Sequence, residues 1–191
     1  GTAADELFSG YFDHHLLYLQ AISKNQDLFE RSKTNWETHI KPNTRNPLLQ
    51  NAHAFIDNPG QREHIYLGAD TFRKFLLDDW YEPFQEQDYT GDLMRNRMLN
   101  ELFHESTPVI LHEDDHNTMD HSIENRSPFL DRRLFDFSMK IPTRHLIKDG
   151  AAKAVLREAV RGIVPDAIVN CRTKVGFNAP IFSFLDVQNQ E

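Results

Sequence analysis

A single cysteine, Cys171, in 191 residues excludes an internal disulfide framework and fits a reducing, cytoplasmic setting. Long apolar runs are missing as well. No stretch approaches the roughly 18 residues that a membrane span requires, and no charged-then-apolar signal segment opens the chain. Cations are outnumbered, 21 Lys and Arg against 29 Asp and Glu, for a net charge of −8. That balance argues against a general nucleic-acid partner, which wants clustered Lys and Arg, but not against a nucleotide, which needs only a few well-placed cations and a metal. Internal repeats and low-complexity tracts are absent, and few segments look like strands. With 39% apolar residues and a mean hydropathy of −0.60, the chain reads as one soluble, mainly α domain able to bury a core.

What is present is helical periodicity. Residues 5–23 carry Leu7, Phe8, Tyr11, Leu16, Leu17, Leu19 and Ile22 in a helical stripe interrupted near Gly10. Residues 37–62, rich in Asn, Pro, His and Gln, read as a long surface connection. Helices are expected over Asp70–Asp79 and Asp92–His104, with another restarting at Pro108, a residue suited to a first turn. Asp131 is a natural N-cap for a helix through 139. The clearest helix is expected at 151–163, where Ala152, Val155, Leu156, Ala159, Val160 and Ile163 share one face before Pro165 stops it. The chain opens on Gly1 inside a Gly/Ala-rich turn, and we expect the amino-terminal half of a larger protein to precede it.

Four segments carry candidate chemistry. In GTAADELFSGY, residues 1–11, small residues before an acidic pair let backbone amides approach a phosphate while Asp5 and Glu6 face a cation; an ordinary turn with Asp5 as N-cap is the plainer reading. In SIENRSPFLD, residues 122–131, the Glu124–Arg126 pair beside an apolar turn reads as architectural. Lys153 near a helix start opposes the helix dipole unless an anion shares that end, and Lys174 is followed by Gly176, which allows a tight loop near a ligand; solvated surface lysines are the plain reading of both. HEDDH, residues 112–116, matches HExxH, with His112 and His116 as zinc ligands and Glu113 as base, but no extended metalloprotease pattern follows, Met119 and Ser122 holding those places.

Taken in order, GTAADELFSGY, DHNTMDHSIENRSPFLD, GAAKAVLREA and IVPDAIVNCRTKVGF resemble the synthetase domain of the glutamine-dependent asparagine synthetase family, relatives of which include β-lactam synthetases. That family shows SGxGxDELFxGY, DRxSMAxxxExRxPFLD, GxxKxxLRxA and LPxxIxxRxKxGF. The match spans residues 1–11 and 107–182, and residues 24–105 carry no motif. The resemblance implies the mostly helical, carboxy-terminal part of an α/β adenine-nucleotide hydrolase-like domain whose parallel-sheet half is missing. It also implies ATP and Mg²⁺ as cofactors, a carboxylate acceptor such as aspartate, ammonia from a separate glutaminase domain, and a possible homodimer. Carried over, Asp5 resembles the Mg²⁺–pyrophosphate ligand, with Glu6 and Gly1 beside the cofactor; Lys153 resembles a pyrophosphate-binding lysine and Lys174 the lysine that stabilises the transition state. Asp114 or Asp115 resembles the acid lining the acceptor site. The family's SGGxDS loop and nucleophilic amino-terminal Cys are not among these residues, while His116, Asp120 and Thr2 replace the family's Arg, Ala and frequent Glu. A scaffold that keeps the fold without its chemistry, and a zinc hydrolase at His112 and His116, stay open as alternatives.

Overall fold

Helix α1, Ala4–Phe8, is short because the backbone leaves helical space on both sides, at Ala3 (φ 73°) and Ser9 (φ 72°). In this computed structural model, residues 2–66, 68–78, 82–172 and 174 are described. Among them the regular elements are all helical, accompanied by two isolated bridges, Lys148 to Ala151 and Arg161 to Val164. None of these helices is long and apolar enough to cross a membrane.

Helix α2, Phe12–Ile22, is the centre of the body, with residues from Asp13 to Leu19 buried on all sides. A helix buried all round must satisfy its polar side chains internally, and α2 carries Asp13, His14 and His15 inward at its amino-terminal end. The interruption read at Gly10 is the break between α1 and α2. Helix α3, Gln26–His39, is capped by Asn25, whose side chain accepts from the Leu28 N–H, and lays Phe29 and Trp36 against α2.

The surface connection expected over 37–62 is instead part of the core: Ile40, Leu49, Ala52, Ala54 and Phe55 are buried with Leu16, Leu17 and Met98. Periodicity fails there because the segment folds as two single 3₁₀ turns, Lys41–Asn43 and Pro47–Leu49, and one helical turn, α4 (Ala54–Asp57). Asn46 organises it, accepting from Leu48 N–H and donating to the His64 carbonyl.

Helix α5, Ala69–Arg73, is shorter than the expected Asp70–Asp79, and Phe72 and Phe75 are exposed rather than buried. Helix α6, Leu93–Asn100, begins at the Asp92 cap and widens into a π-turn at Glu101–Glu105 before α7, Thr107–Met119, restarts with Pro108 in its first turn. The extended segment 82–90 lies along α6, where Asn96 accepts from Tyr89 N–H and Asn100 exchanges hydrogen bonds with both backbone groups of Gln87. Helix α8, Arg132–Ser138, is capped by Asp131 as the sequence predicts.

The expected helix 151–163 shrinks to α9, Ala154–Ala159, because Lys153 is left-handed (φ 58°) and the chain turns again at Gly162. Its stripe is not one buried face: Ala152, Val155, Leu156 and Val160 are half-buried, Ala159 is exposed and Ile163 is 81% exposed, while the buried Ala154 lies outside the stripe. The last described helix is α10, Asp166–Val169.

Candidate functional site

The first turn of α1 presents Asp5, and the break at Ser9–Gly10 folds the chain back against it. A Cβ at Gly10 would lie 1.5 Å from Asp5 Oδ1, so only glycine fits. Ser9, fully buried, ties this turn to the distant 146–153 loop: its hydroxyl donates to the Leu146 carbonyl and accepts from the Lys153 N–H, both at 3.3 Å. That loop carries left-handed residues at Asp149, Gly150 and Lys153, and a Cβ at Gly150 would press to 3.2 Å from the Asn35 carbonyl.

The result is a meeting of three segments remote in sequence. Lys153 Nζ lies 2.7 Å from Asp5 Oδ1 and Lys174 Nζ 3.8 Å from Asp5 Oδ2. Lys174 also donates to the Gly10 carbonyl at 3.1 Å and stands 4.0 Å from the centre of the Tyr11 ring, a cation–π arrangement. Burial, and after it the charge of Lys153, push the Lys174 pKa down from its ordinary value, while Asp5 opposes the shift. Two ammonium groups thus share one carboxylate. The cleft around them, about 250 Å³, is lined by the cations Lys153, Arg157, Arg172 and Lys174 against the carboxylate of Asp5. In a chain of net negative charge, this local excess of positive charge is suited to an anion.

Of the residues singled out by sequence, Asp5, Lys153 and Lys174 come together here. Glu6 does not line the cleft; it is buried and accepts a 2.6 Å hydrogen bond from the Tyr11 hydroxyl. Burial and that bond push the Tyr11 phenol well above its usual range, so it stays a donor, and Glu6 acts on the site by holding the ring on which Lys174 rests. Asp114 is half-buried on α7 and accepts a long 3.4 Å hydrogen bond from Thr2, whereas Asp115 is exposed; neither lines the cleft. Gly1 lies outside the described residues. His112 and His116 do share a face of α7, with ring centres 4.3 Å apart, but both are exposed. Among the described residues the cluster of three potential metal ligands is elsewhere, at Asp13, His14 and Glu101, and the Arg97 guanidinium already lies between Asp13 and Glu101. Among the described residues no third metal-ligating group joins His112 and His116.

Sequence reading passed over Tyr11, His14, Arg157 and Arg172. Arg157 donates to the Ala152 and Val169 carbonyls and so props the loop that carries Lys153. Nothing in spacing marks such a role, because its partners are carbonyls.

His15, beside the cleft, carries a pH consequence. Burial above all pushes its pKa down from 6.5 to about 3. Between those values the unfolded chain binds a proton that the folded chain refuses, so stability is complete above pH 6.5 and falls as pH drops through the window. Between pH 7 and pH 4 this single group is expected to remove roughly 3 kcal/mol. Urea unfolding of His15→Leu across that range should show a correspondingly flatter pH dependence than the parent chain.

The model of the family described as Asparagine synthase matches residues 1–189. Among curated proteins, asparagine synthetase [glutamine-hydrolyzing] 1 of Bacillus subtilis is 44% identical over 82 residues, 43% of this chain and 13% of that protein. Asparagine synthetase [glutamine-hydrolyzing] 3 of the same organism is 38% identical over 60 residues, 31% of this chain and 10% of that protein. A putative asparagine synthetase [glutamine-hydrolyzing] of Mycobacterium tuberculosis is 38% identical over 76 residues, 40% of this chain and 12% of that protein. These alignments therefore span only a small part of each relative's length. No solved structure matches the chain. With a family match running through nearly all of its residues, including the three segments that converge on Asp5, the chain belongs to the asparagine synthase family.

Proposed function

We propose that the Asp5 cleft is the pyrophosphate side of an ATP-dependent, amide-forming active site. The observation that carries this reading is the convergence of Lys153 and Lys174 on one carboxylate. Asp5 Oδ1 is buried and accepts no hydrogen bond, its contact with Lys153 being an ion pair without hydrogen-bond geometry. Such an oxygen suits Mg²⁺, which is commonly held by one or two carboxylates together with substrate phosphates. Asp5 would hold the metal, which when bound would neutralise phosphate charge.

In the proposed reaction, a carboxylate oxygen of the acceptor attacks the α-phosphorus of ATP and the α–β bridge breaks, releasing pyrophosphate. Ammonia derived from glutamine then attacks the acyl carbon, and AMP leaves with the electrons of the carbon–oxygen bond. Lys153 and Arg172 bind the departing pyrophosphate, and Lys174, carried by Gly10 and Tyr11, offers a fixed positive charge where negative charge develops. The remaining parts of the site, a phosphate-cradling loop on a parallel sheet and a glutaminase unit, belong to the rest of the protein in this reading. Asp114, which accepts from the Thr2 hydroxyl, is the acid assigned to the acceptor in this reading.

The test is ATP–pyrophosphate exchange by the complete protein. Lys174→Ala is expected to lower exchange by about 10²–10³-fold with an unchanged thermal melting curve. Exchange at the parent rate would remove Lys174 from the chemistry.

A further inference from the structure

We infer that His14 is a positioning residue for Lys174, acting through the backbone of Gly10, with Glu101 fixing the imidazole. The inference rests on the proposed role of Lys174 for its effect on catalysis, though not for the geometry. His14 is completely buried on α2, and both ring nitrogens are engaged. The Gly10 N–H donates to Nδ1 at 3.2 Å, which requires that nitrogen to be unprotonated, so the proton sits on Nε2 and is donated to Glu101 Oε2 at 2.8 Å. Glu101 is itself held at its other oxygen by Arg97 Nε at 3.2 Å.

Glu101 belongs to the π-turn that ends α6, and π-turns recur at functional sites because they re-aim side chains. The chain of contacts runs carboxylate, imidazole, Gly10 amide, Gly10 carbonyl, Lys174 ammonium. Gly10 is pinned at its N–H by His14, while its Cα stands against Asp5. Its carbonyl, in the next peptide plane, accepts from Lys174, so the place of Gly10 sets where that ammonium is held.

A purely architectural histidine is the competing explanation. Filling this face of α2 needs only an aliphatic side chain, as Leu17 shows one turn on. Burying an imidazole and a carboxylate 87 residues apart in sequence costs desolvation that an apolar pair avoids. The polar pair ends on the one residue whose carbonyl carries Lys174 and whose Cα excludes a side chain beside Asp5.

Two near-isosteric variants of the complete protein separate the roles. His14→Asn keeps an acceptor oxygen where Nδ1 faces Gly10, and His14→Gln keeps a donor where Nε2 faces Glu101 but has no acceptor for Gly10. Three quantities are read: kcat for ATP–pyrophosphate exchange, KM for ATP, and the acetylation rate of Lys174 relative to exposed Lys24 by mass spectrometry. His14→Asn is expected to stay within about threefold of the parent in all three. His14→Gln should lower kcat by about tenfold or more, leave KM within about twofold, and raise Lys174 acetylation about fivefold. Equal behaviour of the two variants, or unchanged Lys174 acetylation in His14→Gln, overturns the inference. Raised acetylation with unchanged kcat supports the positioning and overturns the catalytic reading of Lys174 instead.

Discussion

Gly10→Ala is expected to lower exchange activity about a hundredfold while leaving the body folded. The new methyl carbon would stand 1.5 Å from Asp5 Oδ1 and 2.5 Å from its Cγ, a separation that no real contact shows. Relief requires the Asp5 carboxylate to swing away by more than 1 Å, since ordinary contacts lie beyond about 3.4 Å. That movement breaks the 2.7 Å pairing with Lys153 and shifts the proposed metal ligand. A displacement of this size in a preorganised site costs about a hundredfold in rate. The backbone atoms of the turn need not move, so the melting curve should change little. Gly91→Ala, where a Cβ meets nothing within 4 Å, is the matched control. Exchange by Gly10→Ala within about threefold of the parent would show that Asp5 is not held where the chemistry needs it.

The largest stability effect is expected at Arg97. Its guanidinium is held by Glu86, Glu101 and Glu105 and lies 3.8 Å from Asp13, with the side chain only 9% exposed. Arg62 binds Glu82, Glu86 and Glu105 from the other side, so two arginines bind one knot of carboxylates joining α2, α6, the π-turn and the 82–90 segment. Arg97→Leu leaves those carboxylates buried and under-neutralised, and breaking a buried pair from one side costs about 3–5 kcal/mol. For a chain of this size the loss corresponds to a melting temperature lower by about 10 °C or more. By contrast Arg161, paired with Glu158 on the surface, should be replaceable with little change. Urea titrations of the two leucine variants check both statements. Equal stabilities would mean that the buried network is neutral, as an apolar replacement can be.

Much of the candidate site was legible in the chain itself. Asp5, Lys153 and Lys174 each sit in a short motif whose residue types suit a phosphate, and the ordered set of motifs pointed to the family before any geometry was known. Local signals also served for elements that close on themselves. Asp131 caps α8, Pro108 opens α7, and Gly10 breaks the first stripe, because caps and turns are decided within a few residues. The same reasoning misplaced Glu6, since an acidic neighbour of Asp5 looks like a cofactor ligand until the Tyr11 hydroxyl is seen to claim it.

What the amino-acid sequence by itself determined is the mainly helical class, the family, and three of the charged residues in the cleft, Asp5, Lys153 and Lys174. Tertiary structure alone decided the length of α9, the burial of 37–62 and the frame behind the cleft. Periodicity assigns a face to a helix but not the point before which a left-handed residue such as Lys153 keeps it from starting, nor a partner for the face. The His14–Glu101 pair and the Arg97 knot join positions tens of residues apart, and long-range polar pairing leaves no spacing signal. It arises because a buried polar group must find its partner wherever the packed chain brings one.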